Sequence, residues 1–147
     1  MAKKKKTSRF RSSRSKKYEK KPYLVFVSHA THDKWIATVL CEKIEETGAV
    51  TFRDDRDIEG GEKIPSVIKE KINSCNDFVV LLTPESIKRQ WVLIEIGMAC
   101  ATNRRIVPLM YHVDESQIPD KIKDDKGFTL NELDRHLSEV TKRMAKR

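Results

Sequence analysis

Short runs of consecutive apolar residues constrain the fold of this chain more than any other feature. Residues 23–27, 78–82 and 105–110 are rich in β-branched, aromatic and leucine side chains, and they do not alternate with polar residues. Strands that are apolar on both faces are typical of a parallel sheet with helices packed on both sides. Residues 49–52 predict a shorter strand, and residues 127–130 predict a short strand at the sheet edge.

Helical patterns separate these strands. Thr31 is the predicted N-cap of the first helix, and Pro65 fits the first turn of the second. Thr83, followed by Pro84, predicts the start of the third, while residues 114–127 follow no clear pattern. The last helix shows three- and four-residue spacing, through Leu130, Leu133, Leu137, Val140 and Met144. This alternation predicts an α/β protein with a flavodoxin-like three-layer fold and a five-stranded parallel sheet of order 2-1-3-4-5.

Residues 90–102 contain one charged side chain, Glu95, in an otherwise apolar helical stretch. The composition predicts a helix that is buried on most faces, with Trp91 one turn before the carboxylate. Such a glutamate is either a partly exposed or ion-paired structural residue, or a carboxylate that faces a site. In the predicted sheet, ligands bind beyond the ends of strands 1 and 3. The segments 28–31, 54–61 and 83–90 converge there with Glu95, which favours a site.

The positive charge is concentrated at the amino end. Residues 1–21 contain 11 of the 30 Lys and Arg residues but one of the 22 acids. With so few apolar residues, this segment is predicted to be a disordered basic tail, and residues 22–147 are predicted to form one domain. The tail is suited to contact nucleic acid or an anionic membrane, or it is a solvated arm without a specific partner.

Several classes of protein are disfavoured by what the sequence lacks. It has no apolar run typical of a signal peptide or a transmembrane helix, which predicts a cytoplasmic protein. Cys41, Cys75 and Cys100 are predicted to be reduced, and no histidine spacing indicates a metal site. Neither of the glycine-rich nucleotide motifs is present, which disfavours Rossmann hydride transfer and P-loop phosphoryl transfer.

Four motifs together resemble the Toll/interleukin receptor (TIR) domain. They are V-F-V-S-H-A from Val25, F-x-D ending at Asp54 with Gly61 seven residues later, F-V-V-L-L-T-P-E-S from residue 78, and W-x-x-x-E ending at Glu95. The resemblance covers roughly residues 23–110, and the last helix is consistent with it. The short form of the chain is most similar to stand-alone bacterial and archaeal members.

This resemblance implies either an NAD⁺-cleaving enzyme or a non-catalytic TIR–TIR interaction module. In the enzyme, Glu95 would be the catalytic residue, and NAD⁺ would be the substrate, with no separate cofactor. The products would be nicotinamide and ADP-ribose, or a cyclic form, made in immune or antiviral defence. Residues 54–62 correspond to the BB loop, which gates the pocket and contributes to self-association together with helix faces. The predicted NAD⁺ contacts are Ser28, His29, Ala30, Asp54, Gly61 and Trp91.

The residues beside the tryptophan differ from the family pattern. Many enzymatic members have Ser or Cys there, whereas this chain has Arg89, Gln90 and Val92. The resemblance therefore leaves the polarity of the pocket open at this point.

Overall fold

The computed structural model describes residues 20–57 and 60–147. Within them, five parallel strands form one sheet in the order β2-β1-β3-β4-β5, as predicted. The strands are β1 (Leu24–Ser28), β2 (Val50–Phe52), β3 (Asp77–Leu82), β4 (Arg105–Met110) and β5 (Phe128–Thr129).

Helices cover both faces of this sheet. They are α1 (Lys34–Glu45), α2 (Asp54–Asp57), α3 (Ile64–Ser74), α4 (Gln90–Ala101) and α5 (Leu133–Ala145). Val25 and Val27 of β1 pack with α1 and α5 in one core, while Phe26 packs with α3 and α4 in the other. Because successive strand residues point to opposite faces, a continuous apolar run supplies both cores. The predicted three-layer α/β fold is confirmed.

The pairing of the two central strands determines where a ligand can bind. Ser28, at the end of β1, pairs with Val80 of β3. The chain then leaves β1 towards α1 on one face of the sheet and leaves β3 towards α4 on the other. This divergence opens a crevice beyond the carboxyl ends of the two strands.

Two predicted helix starts are wrong in detail. Thr31 does not cap α1, because residues Thr31–Asp33 form a 3₁₀ turn and α1 begins at Lys34. Thr83 does not start α4 either. Its hydroxyl accepts a hydrogen bond from the Ser86 N–H at 3.0 Å, in a separate turn at Ser86–Lys88, and α4 begins at Gln90.

The prediction that α4 is buried on most faces is also wrong. Leu93 is 42% exposed and Ile94 is 45% exposed, and Gly97 and Ala101 lie on the same exposed side. One side of α4 covers the sheet through Val92, Ile96 and Ala99. The apolar composition of α4 therefore did not predict its burial correctly, because no other described element covers the side of α4 that faces away from the sheet.

The loops contain more structure than the sequence indicated. Residues 114–127, which the sequence left unplaced, include 3₁₀ turns at Glu115–Gln117 and Asp120–Ile122. The predicted tail lies outside the described residues except for Lys20 and Lys21. No helix in the described part of the chain is long and apolar enough to cross a membrane.

Candidate active site

Glu95 lies on the side of α4 that faces the sheet, and it is only 2% exposed. Burial is the largest cause that raises the pKa of its carboxyl, from an ordinary value of 4.5 to about 8. The negative charge of Asp54 raises the pKa further, while hydrogen bonding with Ser28 and Trp91 opposes part of the shift. Glu95 is therefore mostly protonated at neutral pH in this conformation.

Ser28 supports Glu95 from the end of β1. Its hydroxyl is close enough to lower the pKa of the carboxyl, yet it makes no hydrogen bond of ordinary geometry to any described residue. Ser28 is 1% exposed, so this unsatisfied hydroxyl is enclosed with the acid. A buried polar group without a full partner is costly, and such groups are common where a ligand completes the site.

A cavity of about 190 Å³ lies at the mouth of the crevice, and two of its lining residues, Asp54 and Trp91, interact with this carboxyl. Four of the predicted site residues line it: His29, Ala30, Asp54 and Trp91. Ser28 and Glu95 are buried and, like Gly61, are not among the lining residues. The remaining lining residues are Thr31, Asp55, Arg89 and Val92.

Asp55 holds the start of the loop after β2 against this cavity. One carboxylate oxygen, Oδ1, lies 3.3 Å from His29 Nε2 and 3.3 Å from Arg53 Nε, while Lys34 Nζ is 3.9 Å from Oδ2. The Arg53 guanidinium is buried and also donates to Thr38 Oγ1 on α1 at 2.6 Å. Asp55 thus connects α2 to β1 and α1.

A second polar pair connects the two sides of the crevice. Thr83 Oγ1, after β3, donates to Asp33 Oδ2, before α1, at 2.5 Å. Both residues are buried. Sequence reasoning missed this pair, although both residues follow strands that were predicted to be neighbours. The Thr83 hydroxyl donates to Asp33 while it also accepts from the Ser86 N–H, so this one side chain links the turn after β3 to the start of α1.

The fold also brings together three potential metal ligands that are far apart in the sequence. His29, Asp54 and Asp55 place ligand atoms within 4.8 Å of one another. Lys34 and Arg53 already pair with Asp55, so protein cations balance part of this acidic charge. For that reason we assign no metal to the cluster.

A larger cavity of about 600 Å³ lies elsewhere, beyond the ends of β4 and β5. Lysines and acids share its lining, including Glu115, Lys123, Lys126 and Glu132. It contains no buried carboxyl comparable to Glu95, because the charged residues named are at most partly buried. We place the candidate chemistry at the smaller cavity, where a strongly perturbed acid meets the switch point of the sheet.

Comparison with known proteins agrees with this architecture. A family model described as the TIR domain matches residues 25–142. The chain belongs to the TIR family. This confirms the resemblance that the four motifs indicated.

Two curated relatives carry enzymatic names. The chain is 23% identical over 117 residues to a probable 2′ cyclic ADP-D-ribose synthase, BdTIR, from Brachypodium distachyon, covering 77% of this chain and 52% of that protein. It is 24% identical over 103 residues to the 2′ cyclic ADP-D-ribose synthase BtTIR from Bacteroides thetaiotaomicron. That match covers 67% of this chain and 36% of BtTIR. The chain thus spans about half or less of the length of these relatives.

Solved structures support the fold. The TIR domains of the activated Roq1 resistosome, which directly recognises the effector XopQ, superpose with a TM-score of 0.66 at 20% identity. The match covers 84% of this chain and 98% of that one. At this identity the similarity establishes the fold and leaves the activity to be argued from the site.

Proposed function

We propose that this TIR protein is an NAD⁺ glycohydrolase in which Glu95 is the catalytic residue. The observation that carries the proposal is a buried carboxyl, with its pKa raised to about 8, beside a cavity at the crevice of β1 and β3. The names of BdTIR and BtTIR support chemistry on an ADP-ribose group. We further propose that the reaction takes place in the cytoplasm and serves immune or antiviral defence.

The reaction suits a site with one carboxylate. The bond between ribose C1′ and the nicotinamide nitrogen breaks, and its electron pair neutralises the pyridinium, so the leaving group needs no proton. Water then adds to C1′ and releases a proton, giving ADP-ribose. In the cyclic product, a hydroxyl of the same ADP-ribose takes the place of water. A carboxylate stabilises the oxocarbenium-like transition state by its charge and by accepting hydrogen bonds from the ribose.

The charges around the cavity favour one orientation of NAD⁺. Asp54 gives the inner side of the cavity a carboxylate, and Glu95 adds a second negative charge when it ionises, which suits the positively charged nicotinamide ring. Arg89 is the cation of the lining, and its guanidinium is 57% exposed and lies 3.7 Å from the Glu85 carboxylate. We place the diphosphate at Arg89, because arginine matches phosphate geometry.

The first expected result is a dependence of activity on pH. Only the ionised form of Glu95 can stabilise a positive ribose, so kcat/KM for NAD⁺ should rise with pH and level off above an apparent pKa near 8. Bound NAD⁺ adds a positive charge beside the carboxyl, so the pKa seen in kcat should be lower. Initial rates across this pH range measure both values. A kcat/KM that is flat or falls over this range would contradict ionisation of Glu95.

The second expected result concerns Arg89. Arg89→Ala should raise KM for NAD⁺ about tenfold, since one charge-assisted contact to phosphate contributes roughly 1.5 kcal/mol, while kcat changes little. Nicotinamide riboside, which has the same scissile bond but no phosphate, is the control substrate. Its cleavage should be the same in both proteins. An equal loss for both substrates would mean that Arg89 supports the site in another way.

The third expected result is that activity depends on assembly. Glu95 is enclosed, so the site must open before a ribose reaches it, and we assign this gating to the BB loop. Gly61 has a φ of +87°, which proline cannot adopt, so Gly61→Pro should lower activity without unfolding the domain. Gly60→Ala is the matched control, because a Cβ there meets open space and φ is not in the left-handed region. Wild-type turnover per molecule should rise with protein concentration. Turnover that stays constant on dilution in all three proteins excludes this gating.

A non-catalytic TIR–TIR interaction module is the second candidate function. The exposed apolar side of α4, with Leu93 and Ile94, favours it, since such a surface is common in protein contacts. Incubating the concentrated protein with NAD⁺ separates the two functions. Release of nicotinamide supports the enzyme, and its absence in an assembled sample supports the module.

A further inference from the structure

A fully buried histidine lies on α5, away from the candidate active site. His136 is 0% exposed, and neither of its ring nitrogens has a hydrogen-bond partner among the described residues. A buried polar group without a partner costs free energy, and the cost is larger when the group is charged. This position therefore favours the neutral imidazole over the imidazolium.

The helix that carries His136 buries few side chains. Within α5, the buried residues are His136 and Val140. The other apolar side chains of α5 that pack against the same core are only partly buried: Leu133, Leu137 and Met144. Elements with few buried contacts open at a lower free energy than the core of a domain. One of the two residues that α5 buries can therefore gain a proton, in an element that should open easily.

The charged neighbours of His136 already have partners of their own. Asp77 attracts a proton to the ring, but its carboxylate interacts with other side chains, which are Tyr23, Arg105 and Arg143. Glu139 also attracts a proton, yet it is 41% exposed and lies 3.8 Å from Arg143 Nη1. The positive charge of Arg143 acts against protonation of the ring. No acid in this group is thus free to pair with an imidazolium.

The aromatic neighbour of His136 also has cations beside it. The centres of the Phe128 and His136 rings lie 5.9 Å apart. Lys126 Nζ lies 5.5 Å from the centre of the Phe128 ring, and the Arg135 guanidinium lies 5.7 Å from it. A protonated His136 would be a third cation at this ring, so a cation–π contact gives it little compensation.

These surroundings make His136 a weaker base than an exposed histidine. Burial is the largest cause that lowers the pKa of His136 from its ordinary value of 6.5. Asp77 and Glu139 oppose part of this shift, while Arg143 adds to it. When α5 leaves the sheet, the imidazole enters water and binds a proton with its ordinary affinity.

We propose that proton uptake by His136 opens α5 ahead of the rest of the domain. Because the docked helix binds this proton more weakly than the open helix, docking is strongest above about pH 6.5 and weakens as pH falls below that value. The equilibrium constant for opening should rise by up to about tenfold for each pH unit.

Glu95 responds to acid in the opposite sense. Its pKa is raised to about 8, so proton uptake by Glu95 stabilises the folded domain. Opening of α5 exposes His136 but leaves Glu95 under α4, on the other face of the sheet. Unfolding of the whole domain exposes both groups, and their effects then oppose each other. Acid should therefore favour opening of α5 over global unfolding.

This device is independent of the proposed NAD⁺ chemistry. The described residues that line the cavity of about 190 Å³ all lie outside α5. A protein that does not cleave NAD⁺ can still open α5 in acid, so the two proposals can fail separately.

The test measures hydrogen exchange of the full chain from about pH 7 to pH 5, corrected for the effect of pH on the intrinsic exchange rate. The wild type is compared with His136→Leu, which places an apolar side chain that cannot titrate in the same site. His32→Gln is the matched control, because it also removes a histidine, but one whose side chain is 69% exposed. NMR titration of the His136 ring in the wild type measures its pKa directly.

In the wild type and in His32→Gln, the opening constant of the α5 amides should rise by up to about tenfold for each pH unit below 6.5, while that of the β3 amides rises less. In His136→Leu this rise should disappear. An equal rise in His136→Leu, or a measured pKa of His136 at or above 6.5, would overturn the proposal. Equal opening constants for α5 and β3 at every pH would also overturn it, because α5 would then open only with the whole domain. If His136→Leu does not fold, the wild-type titration and the comparison of α5 with β3 decide between these outcomes.

Discussion

Glu95→Gln should lower kcat/KM for NAD⁺ at least a hundredfold while making the protein more stable. Glutamine reproduces the shape and the neutral charge that the buried acid has in the resting protein. It cannot become the anion that an oxocarbenium-like ribose needs. A hundredfold loss corresponds to about 2.7 kcal/mol of transition-state stabilisation, which is ordinary for one charged group in a closed site.

The stability change follows from the raised pKa. The folded protein binds a proton at Glu95 up to a pKa of about 8, whereas the unfolded chain releases it near 4.5. Ionisation therefore favours the unfolded state, and the cost to the folded state is absent below pH 4.5, grows as pH rises and levels off above about 8. At pH 7 the cost is roughly 3 kcal/mol, and the Glu95→Gln variant would not carry it.

Denaturant unfolding of the wild type and Glu95→Gln at pH 4 and pH 7 measures this difference. The variant should be more stable at pH 7, and the two proteins should converge at pH 4. Glu70→Gln, which removes an exposed carboxyl on α3, is the control and should change neither the activity nor the pH dependence of stability. Activity of Glu95→Gln within a few-fold of wild type would show that Glu95 is not the catalytic residue.

The sequence predicted the fold because its signals are local and repeated. The continuous apolar runs of β1 and β3 could not fit a sheet with one solvated face, so helices had to cover both faces. The location of the candidate site followed from that topology, since the ends of these strands diverge at one crevice. Glu95 was identifiable because it is the one charge in an apolar helix.

Features formed by distant residues were not predictable in the same way. The side of α4 that remains exposed depends on which elements pack beside it. Leu93 is exposed and Val92 is buried, although both are apolar aliphatic residues. Thr83 donates to Asp33 across 50 residues, and neither residue shows a local sign of this partner. Arg53 and Asp55 belong to a run of charged residues, yet Arg53 is only 4% exposed and pairs with Asp55. Sequence patterns identified the carboxylate, while its polar surroundings needed the structure.

The structure also contains a buried ionic cluster in which the loss of one partner should be costly. Asp77 is fully buried, accepts hydrogen bonds from Tyr23 Oη at 2.8 Å and Arg143 Nη2 at 2.9 Å, and lies beside Arg105. Arg143 Nε also donates to the Tyr23 hydroxyl at 3.0 Å. The cluster thereby joins α5 to the starts of β1 and β3. Burial of the Tyr23 phenol is the largest cause that raises its pKa, so the phenol remains a hydrogen-bond donor.

Arg143→Met should destabilise the domain by about 3 kcal/mol, because it leaves the Asp77 carboxylate buried with its main cation removed. For a chain of this size, that loss lowers Tm by roughly 6–12 °C. Asp77→Asn should cost less, since it removes the buried charge and keeps an acceptor for Tyr23. The matched control is Arg135→Met, on the same helix, whose guanidinium is 63% exposed and pairs with Glu132 at 3.8 Å. Its cost should be below about 0.5 kcal/mol. If thermal unfolding shows equal losses for Arg143→Met and Arg135→Met, the Asp77 cluster does not stabilise the fold.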